Sequence, residues 1–190
     1  MNHVESLLIN KILKTKDQTY FDNQVLNKKQ QLQLLEYQEK IQKGYPVDYI
    51  LGSVKFLDHD FFVKEDVFIP RWETEWWLTE IIKAKNFKNN IFSSSTNQVL
   101  NLTDLVVEIG SGSGIIGLSL CPYFKEVLAC DLNPKAINLT KKNQQHLNIK
   151  NYQVYESNLF ENKKLRSKGL LCKYSCFRSY IAFHQRHYWN

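Results

Sequence analysis

Residues 106–120 read VVEIGSGSGIIGLSL, an apolar run followed by glycines at 110, 112, 114 and 117 and then by apolar spacing again. Glycine loses more backbone entropy on folding than any other residue, so such a cluster signals a loop that bends through positive φ or lets a small ligand approach the main chain. Glu108 stands two residues before the first glycine, and Asp131 follows the loop at a distance of about 20 residues. Carboxylates so placed can accept hydrogen bonds from ligand hydroxyls or face a ligand cation.

The elements that must hold these groups alternate. LVVEI (105–109), VLACDL (127–132) and YQVYE (152–156) predict strands; GLSLCPYF and PKAINLTKKNQQHL predict helices, the second capped by Asn133 with Pro134 at its first position. Strands alternating with helices imply right-handed crossovers and a parallel sheet. In such a sheet a ligand binds outside the carboxyl ends of the strands, where the glycine loop falls. Upstream, VESLLINKILKTK (4–16) carries helical spacing through Val4, Leu7, Leu8 and Ile12, and KKQQLQLLEYQEKIQKG does so through Leu34, Tyr37 and Ile41, with Gly44 as a C-cap. GYPVDYILGSVKFLDHDFFVKEDVFIPR, punctuated by Pro46, Gly52, Asp58 and Pro70, predicts strands joined by turns in a β-hairpin. ETEWWLTEIIKAKNF (73–87) returns to helical spacing, and the polar NNIFSSSTNQ predicts a surface connection.

The glycines fit two registers. Gly112, Gly114 and Gly117 satisfy the dinucleotide fingerprint G-x-G-x-x-G, whereas Glu108, Gly110, Gly112 and Gly114 give the acid-x-Gly-x-Gly-x-Gly of S-adenosylmethionine-dependent methyltransferases. The dinucleotide fingerprint begins directly after its strand, and from Gly110 it fails at Ile115; the methyltransferase register fits without slippage. Either cofactor needs an acid at Asp131, whose two oxygens match paired ribose hydroxyls. A glycine loop kept only for tight helix packing is the structural alternative.

Four segments in order, GYPVDYILGSVKF, FFVKEDVFIPRWETE, EIGSGSGIIGLSL and ACDLNPKAINLTKKNQQHLNIKN, resemble the HemK/PrmC family, which methylates the glutamine of the Gly-Gly-Gln motif in peptide-chain release factors. The resemblance runs from about Gly44 to Phe160. It implies an α/β fold: a Rossmann-like class I methyltransferase sheet, incomplete at the C-terminus, with a small N-terminal helical domain and a linking β-hairpin. The corresponding segments are a helical part at 1–45, the hairpin at 46–72, a partial S-adenosylmethionine-binding domain at 73–165 and an anomalous tail at 166–190. By the same resemblance Gly110, Ser111, Gly112, Ser113 and Gly114 would cradle the methionine end of S-adenosylmethionine, with Glu108 near its sulfonium. Asp131 would hold the ribose, and Asn158 and Leu159, in ESNLF, would flank the adenine. Arg71, Glu73 and Thr74 lie in a stretch the family keeps near the cofactor; a helix start with acids in its first turn is the alternative for them.

Three departures stand out. Trp72 replaces a proline of the family, and Asn158 replaces a frequent aspartate while keeping an acceptor and a donor. The third concerns chemistry, because the family orients the substrate amide with Asn-Pro-Pro-Tyr after its fourth strand, and these 190 residues contain no such sequence. No catalytic side chain is therefore assigned. RSKGLLCKYSCFRSYIAFHQRHYWN, where that strand is expected, has six aromatics, no acid and no defensible period. An out-of-frame or unspliced tail is the first reading, which makes the chain a truncated product with one sheet edge unpaired and poor solubility. A zinc site of Cys172, Cys176, His184 and His187, or a basic aromatic grip on single-stranded RNA, is the alternative, although the zinc spacing is shorter than in usual fingers.

Charge limits the other classes. The net charge is +6, but residues 1–165 balance to +1 and the excess lies in the tail, so the body has no strong footprint for a phosphate backbone. No window approaches the roughly 18 unbroken apolar residues of a membrane span, and the first residues lack a signal peptide's pattern. Four cysteines without framework density predict reduced thiols in the cytoplasm, or in an organelle if the source is eukaryotic. A release factor is the expected partner. The alternatives of other classes are a non-catalytic S-adenosylmethionine-binding remnant, a nucleic-acid amino-group methyltransferase and a dinucleotide-dependent oxidoreductase.

Overall fold

The computed structural model describes residues 3–14, 26–91, 105–159, 161–166 and 180–183, and the chain divides into two units, Met1–Val54 and Lys55–Asn190.

In the first unit, helix α1 (His3–Leu13) buries Leu8. Helix α2 (Lys28–Gln42) opens with a capping box in which Asn27 Oδ1 accepts from the Gln30 amide at 3.0 Å and Gln30 Oε1 accepts from the Asn27 amide at 2.9 Å. Leu34, Tyr37 and Ile41 are half-buried along the expected face. The helix ends on Gly44 at φ 84, whose N–H donates to Ile41 O at 2.9 Å while Tyr45 N–H reaches back to Lys40 O at 3.0 Å. These two bonds satisfy carbonyls left open by the last turn. The expected strand at the start of GYPVDYILG is instead a helix, α3 (Val47–Leu51). Pro46 sets the entry as its N-cap, and Gly52, at φ 79, closes it by donating to Asp48 O at 2.7 Å. Proline before and left-handed glycine after one turn are helix brackets as much as strand punctuation, and here the local bond at Gly52 decides.

The division between units falls inside β1 (Ser53–Phe56), which pairs with β2 (His59–Phe62) in a hairpin shorter than the expected run. Glu75 Oε1 accepts from the Leu57 amide in its turn at 2.7 Å. Helix α4 (Trp72–Ile91) begins at the residue that replaces the family's proline. Trp72 is tolerated there because first-turn amides have no partner within a helix, whatever residue carries them.

The second unit is organised by a sheet of order β5-β4-β3-β6. Strands β3 (Leu105–Ile109), β4 (Glu126–Asp131) and β5 (Tyr152–Glu156) run parallel, with Val107 opposite Leu128 and Leu128 opposite Gln153. On one face Val107, Ile109, Leu128 and Cys130 pack with Leu165 of α7 (Lys163–Arg166). Helices α5 (Ile115–Leu120) and α6 (Pro134–His146) pack against the same strands. Asn133 caps α6, accepting from the Lys135 amide at 2.9 Å, with Pro134 at the first position as expected.

One expectation is overturned at the edge of β3. Instead of standing unpaired, β3 carries an antiparallel strand from the tail, β6 (Tyr180–Phe183), with Val106 opposite Phe183 and Ile109 opposite Tyr180. Unpaired strand edges are templates for pairing, and a tetrapeptide rich in aromatic and branched residues suits one while being too short to display a period. Cys172, Cys176, His184 and His187 lie outside the described residues. Among the described residues no group of histidines, cysteines and acids could hold a metal ion, and no helix is long and apolar enough to cross a membrane.

Candidate functional site

The glycine loop leaves β3 at its carboxyl end and is tied at once to the next strand. Gly110 and Ser111 both donate their amides to Cys130 O, at 2.8 and 3.0 Å. Gly110 is exposed at φ 76, and a methyl group added to it would meet no atom within 4 Å. Gly112 is half-buried, with Val67 Cγ1 at 3.8 Å from the same hypothetical position. The other two glycines serve packing: a Cβ on Gly114 would lie 2.7 Å from Thr140 Cγ2, and one on Gly117 would lie 2.6 Å from the Tyr152 ring and overlap Glu108 Oε2. The packing alternative thus describes the second half of the loop and not the first.

Ser111 and Ser113 are buried, and Ser111 Oγ lies 3.4 Å from Thr140 Oγ1. Helix α6 reaches the loop through two further bonds, Thr140 Oγ1 to Gly112 O at 3.0 Å and Asn143 Nδ2 to Ser113 O at 2.8 Å. Of the loop glycines, Gly110 is the exposed one, with open space on its Cβ side.

Glu108 is 2% exposed and sits beneath α5. Tyr152 Oη donates to Glu108 Oε2 at 2.9 Å, and the Gly117 amide also donates to the carboxylate. Burial pushes the carboxyl up to about 7, against the two hydrogen bonds that favour its charge; the nearby charge of Asp131 adds to the rise. Tyr152 is raised well above the usual phenol range, first by burial and then by Glu108. Tyr152 and Gly117 thus hold the Glu108 carboxylate under the loop.

Asp131, at the end of β4, is aimed by its neighbours. Its Oδ2 accepts from the Gly112 amide and its Oδ1 from the Asn133 amide, both at 2.8 Å. A carboxylate has about four lone-pair sites, so each oxygen keeps capacity for a ligand hydroxyl. Beyond β5, Ser157 donates to Asp131 O at 3.0 Å, and Ser157 Oγ donates to Leu159 O at 2.9 Å while accepting from the Asn162 amide at 3.0 Å. This turn presents Asn158 and Leu159 at the surface, with Asn158 Nδ2 donating to Glu161 Oε1 at 3.1 Å. Glycine loop, Asp131, Asn158 and Leu159 thus share the carboxyl end of the parallel sheet.

The stretch between hairpin and α4 packs on α6 beside the loop. Val67 packs with Ala136 and Leu139 of α6, and Asp66 holds Lys135 Nζ at 2.5 Å and Asn133 Nδ2 through its carbonyl at 3.2 Å. Glu73 and Arg71 are exposed, and Arg71 lies over the Phe68 ring at 5.7 Å. Thr74 donates its amide to Arg71 O at 3.0 Å in the first turn, as a helix start requires.

Sequence reasoning missed three residues here. Leu132 follows Asp131 and is 67% exposed, which gives the end of β4 an apolar surface. Thr140 and Asn143 carry the loop bonds, and their signal was available: with Ala136 and Leu139 they form a stripe at helical spacing, so polar groups stood on a core-facing side.

The methyltransferase small domain family matches residues 90–172. The release factor glutamine methyltransferase of Borreliella burgdorferi is 31% identical over 85% of this chain and 54% of its own length. Those of Clostridium acetobutylicum and Dictyoglomus turgidum are 34% and 37% identical, over 62% and 53% of this chain and 37% and 32% of their own lengths. The chain thus spans about half or less of the length of these curated relatives. With its parallel sheet and a glycine loop in the methyltransferase register, the chain has a methyltransferase fold and is similar to the release factor glutamine methyltransferases.

Proposed function

We propose that the carboxyl end of the parallel sheet binds S-adenosylmethionine, and that the chain carries the cofactor half of an enzyme that methylates the side-chain amide of the Gly-Gly-Gln glutamine in a release factor. The observation that carries the reading is the pairing of exposed Gly110, open on its Cβ side, with Asp131 held by the Gly112 amide at 2.8 Å. The residues fit the group. Backbone of Gly110–Gly114 would face its methionine end, Asp131 its ribose hydroxyls, and Asn158 and Leu159, with Leu132 beside them, its adenine. The cofactor supplies an electrophilic methyl group on a sulfonium. The chain's own contribution is to bind and orient, with Glu108 setting the loop from below through Gly117 and Tyr152.

Calorimetric titration with S-adenosylhomocysteine tests the site. Saturable binding that Asp131→Ala weakens at least tenfold supports it, and binding indifferent to that change overturns it. Transfer is a separate question, since the 190 residues lack Asn-Pro-Pro-Tyr. A cofactor binder without transfer is the second reading, and labelled methyl on a purified release factor would rule it out.

A further inference from the structure

Among the described residues strand β2 has one sheet partner, β1, so its outer edge needs another source of hydrogen bonds. At Phe62 that source is a side chain. Asn143 Oδ1 accepts from the Phe62 amide at 2.7 Å, and Asn143 Nδ2 donates to the Phe62 carbonyl at 3.0 Å. The carboxamide thereby imitates the two-point pairing of a neighbouring strand. Its second N–H donates to Ser113 O at 2.8 Å, immediately before the glycine that caps α5.

We propose that Asn143 is a positioning residue that couples the hairpin to the glycine loop, so that order in either is transmitted to the other. Its side chain is fully buried, and its one acceptor and two donors are all engaged across two segments far apart in sequence, at Phe62 and at Ser113. Aspartate would lose both donors, and leucine all three groups. Thr140, one turn earlier, bonds the loop at Ser111 Oγ and Gly112 O and has no such bond to the hairpin among the described residues, so helix α6 holds the loop through both residues and joins it to Phe62 through Asn143. The Phe62 ring completes the arrangement, 4.8 Å from the His146 ring and 3.8 Å from Lys142 Nζ.

The test is residue-resolved amide hydrogen exchange on the full chain without ligand, so its result is independent of the cofactor assignment. In Asn143→Ala, exchange at Phe62 and at Gly114 is expected to rise about tenfold or more relative to the β4–β5 amides, because a buried hydrogen-bond network is lost locally. Thr140→Val is expected to raise exchange at Gly114 alone. Should Asn143→Ala fail to fold, Asn143→Ser is read in the same way. A rise at only one of the two places, or a uniform rise that includes β4 and β5, would overturn the coupling.

Discussion

The two ends of the glycine loop use the same residue for opposite purposes. Gly114 and Gly117 are glycines because something is already there, Thr140 against the first and Glu108 with Tyr152 against the second. Gly110 is a glycine with nothing in the place of its side chain, exposed at the carboxyl end of the sheet. The first pair builds the helix packing, and Gly110 keeps an approach to the main chain open. A motif written as a row of glycines hides this difference.

The comparison can be broken most severely at Gly114. A Cβ there would sit 2.7 Å from Thr140 Cγ2 at φ 76, so Gly114→Ala combines overpacking with left-handed strain and should cost about 3 kcal/mol in urea denaturation. An unchanged midpoint would show that Thr140 yields freely.

Nearly as large an effect is expected from pH, through the carboxyl under Gly117. An ordinary glutamate ionises near 4.5, whereas Glu108 does so at about 7. Between those values the folded chain keeps a proton that the unfolded chain has lost, so stability falls as pH rises and the whole loss, roughly 3 kcal/mol, is present above pH 7. Glu108→Gln cannot ionise and should lack this decline. Parallel stability curves for the two proteins from pH 5 to 8 would sink the assignment.

Gly110→Ala sharpens the contrast from the other side. With open space around the new methyl group, only left-handed strain of about 1 kcal/mol is expected in stability. Affinity for S-adenosylhomocysteine should fall more than tenfold, because the methyl group occupies the proposed approach. Smallest of all is Lys135→Ala, since Lys135 and Asp66 pair at 2.5 Å with both side chains 62% exposed; no measurable shift of the unfolding midpoint is expected.

The strands of the parallel sheet were legible because their apolar runs are short, bounded and interleaved with helices, and the cap at Asn133 because a polar acceptor before Pro134 has few other uses. Helix α3 and strand β6 were not. They are five and four residues long, too short for a period to show; α3 is closed by a single bond, Gly52 to Asp48, and β6 depends on the β3 edge.

The same division runs through the site. By itself the sequence determined that a glycine loop follows a strand, that Asp131 ends the next one and that both lie at the carboxyl end of the sheet, because strand periodicity and glycine conformational preference are local properties. Only the tertiary structure decided that Glu108 lies under α5 against Tyr152, and that Asn143 joins Phe62 to Ser113. Where a buried polar side chain finds its partners depends on which segments the fold brings together, and a buried acceptor or donor must find one.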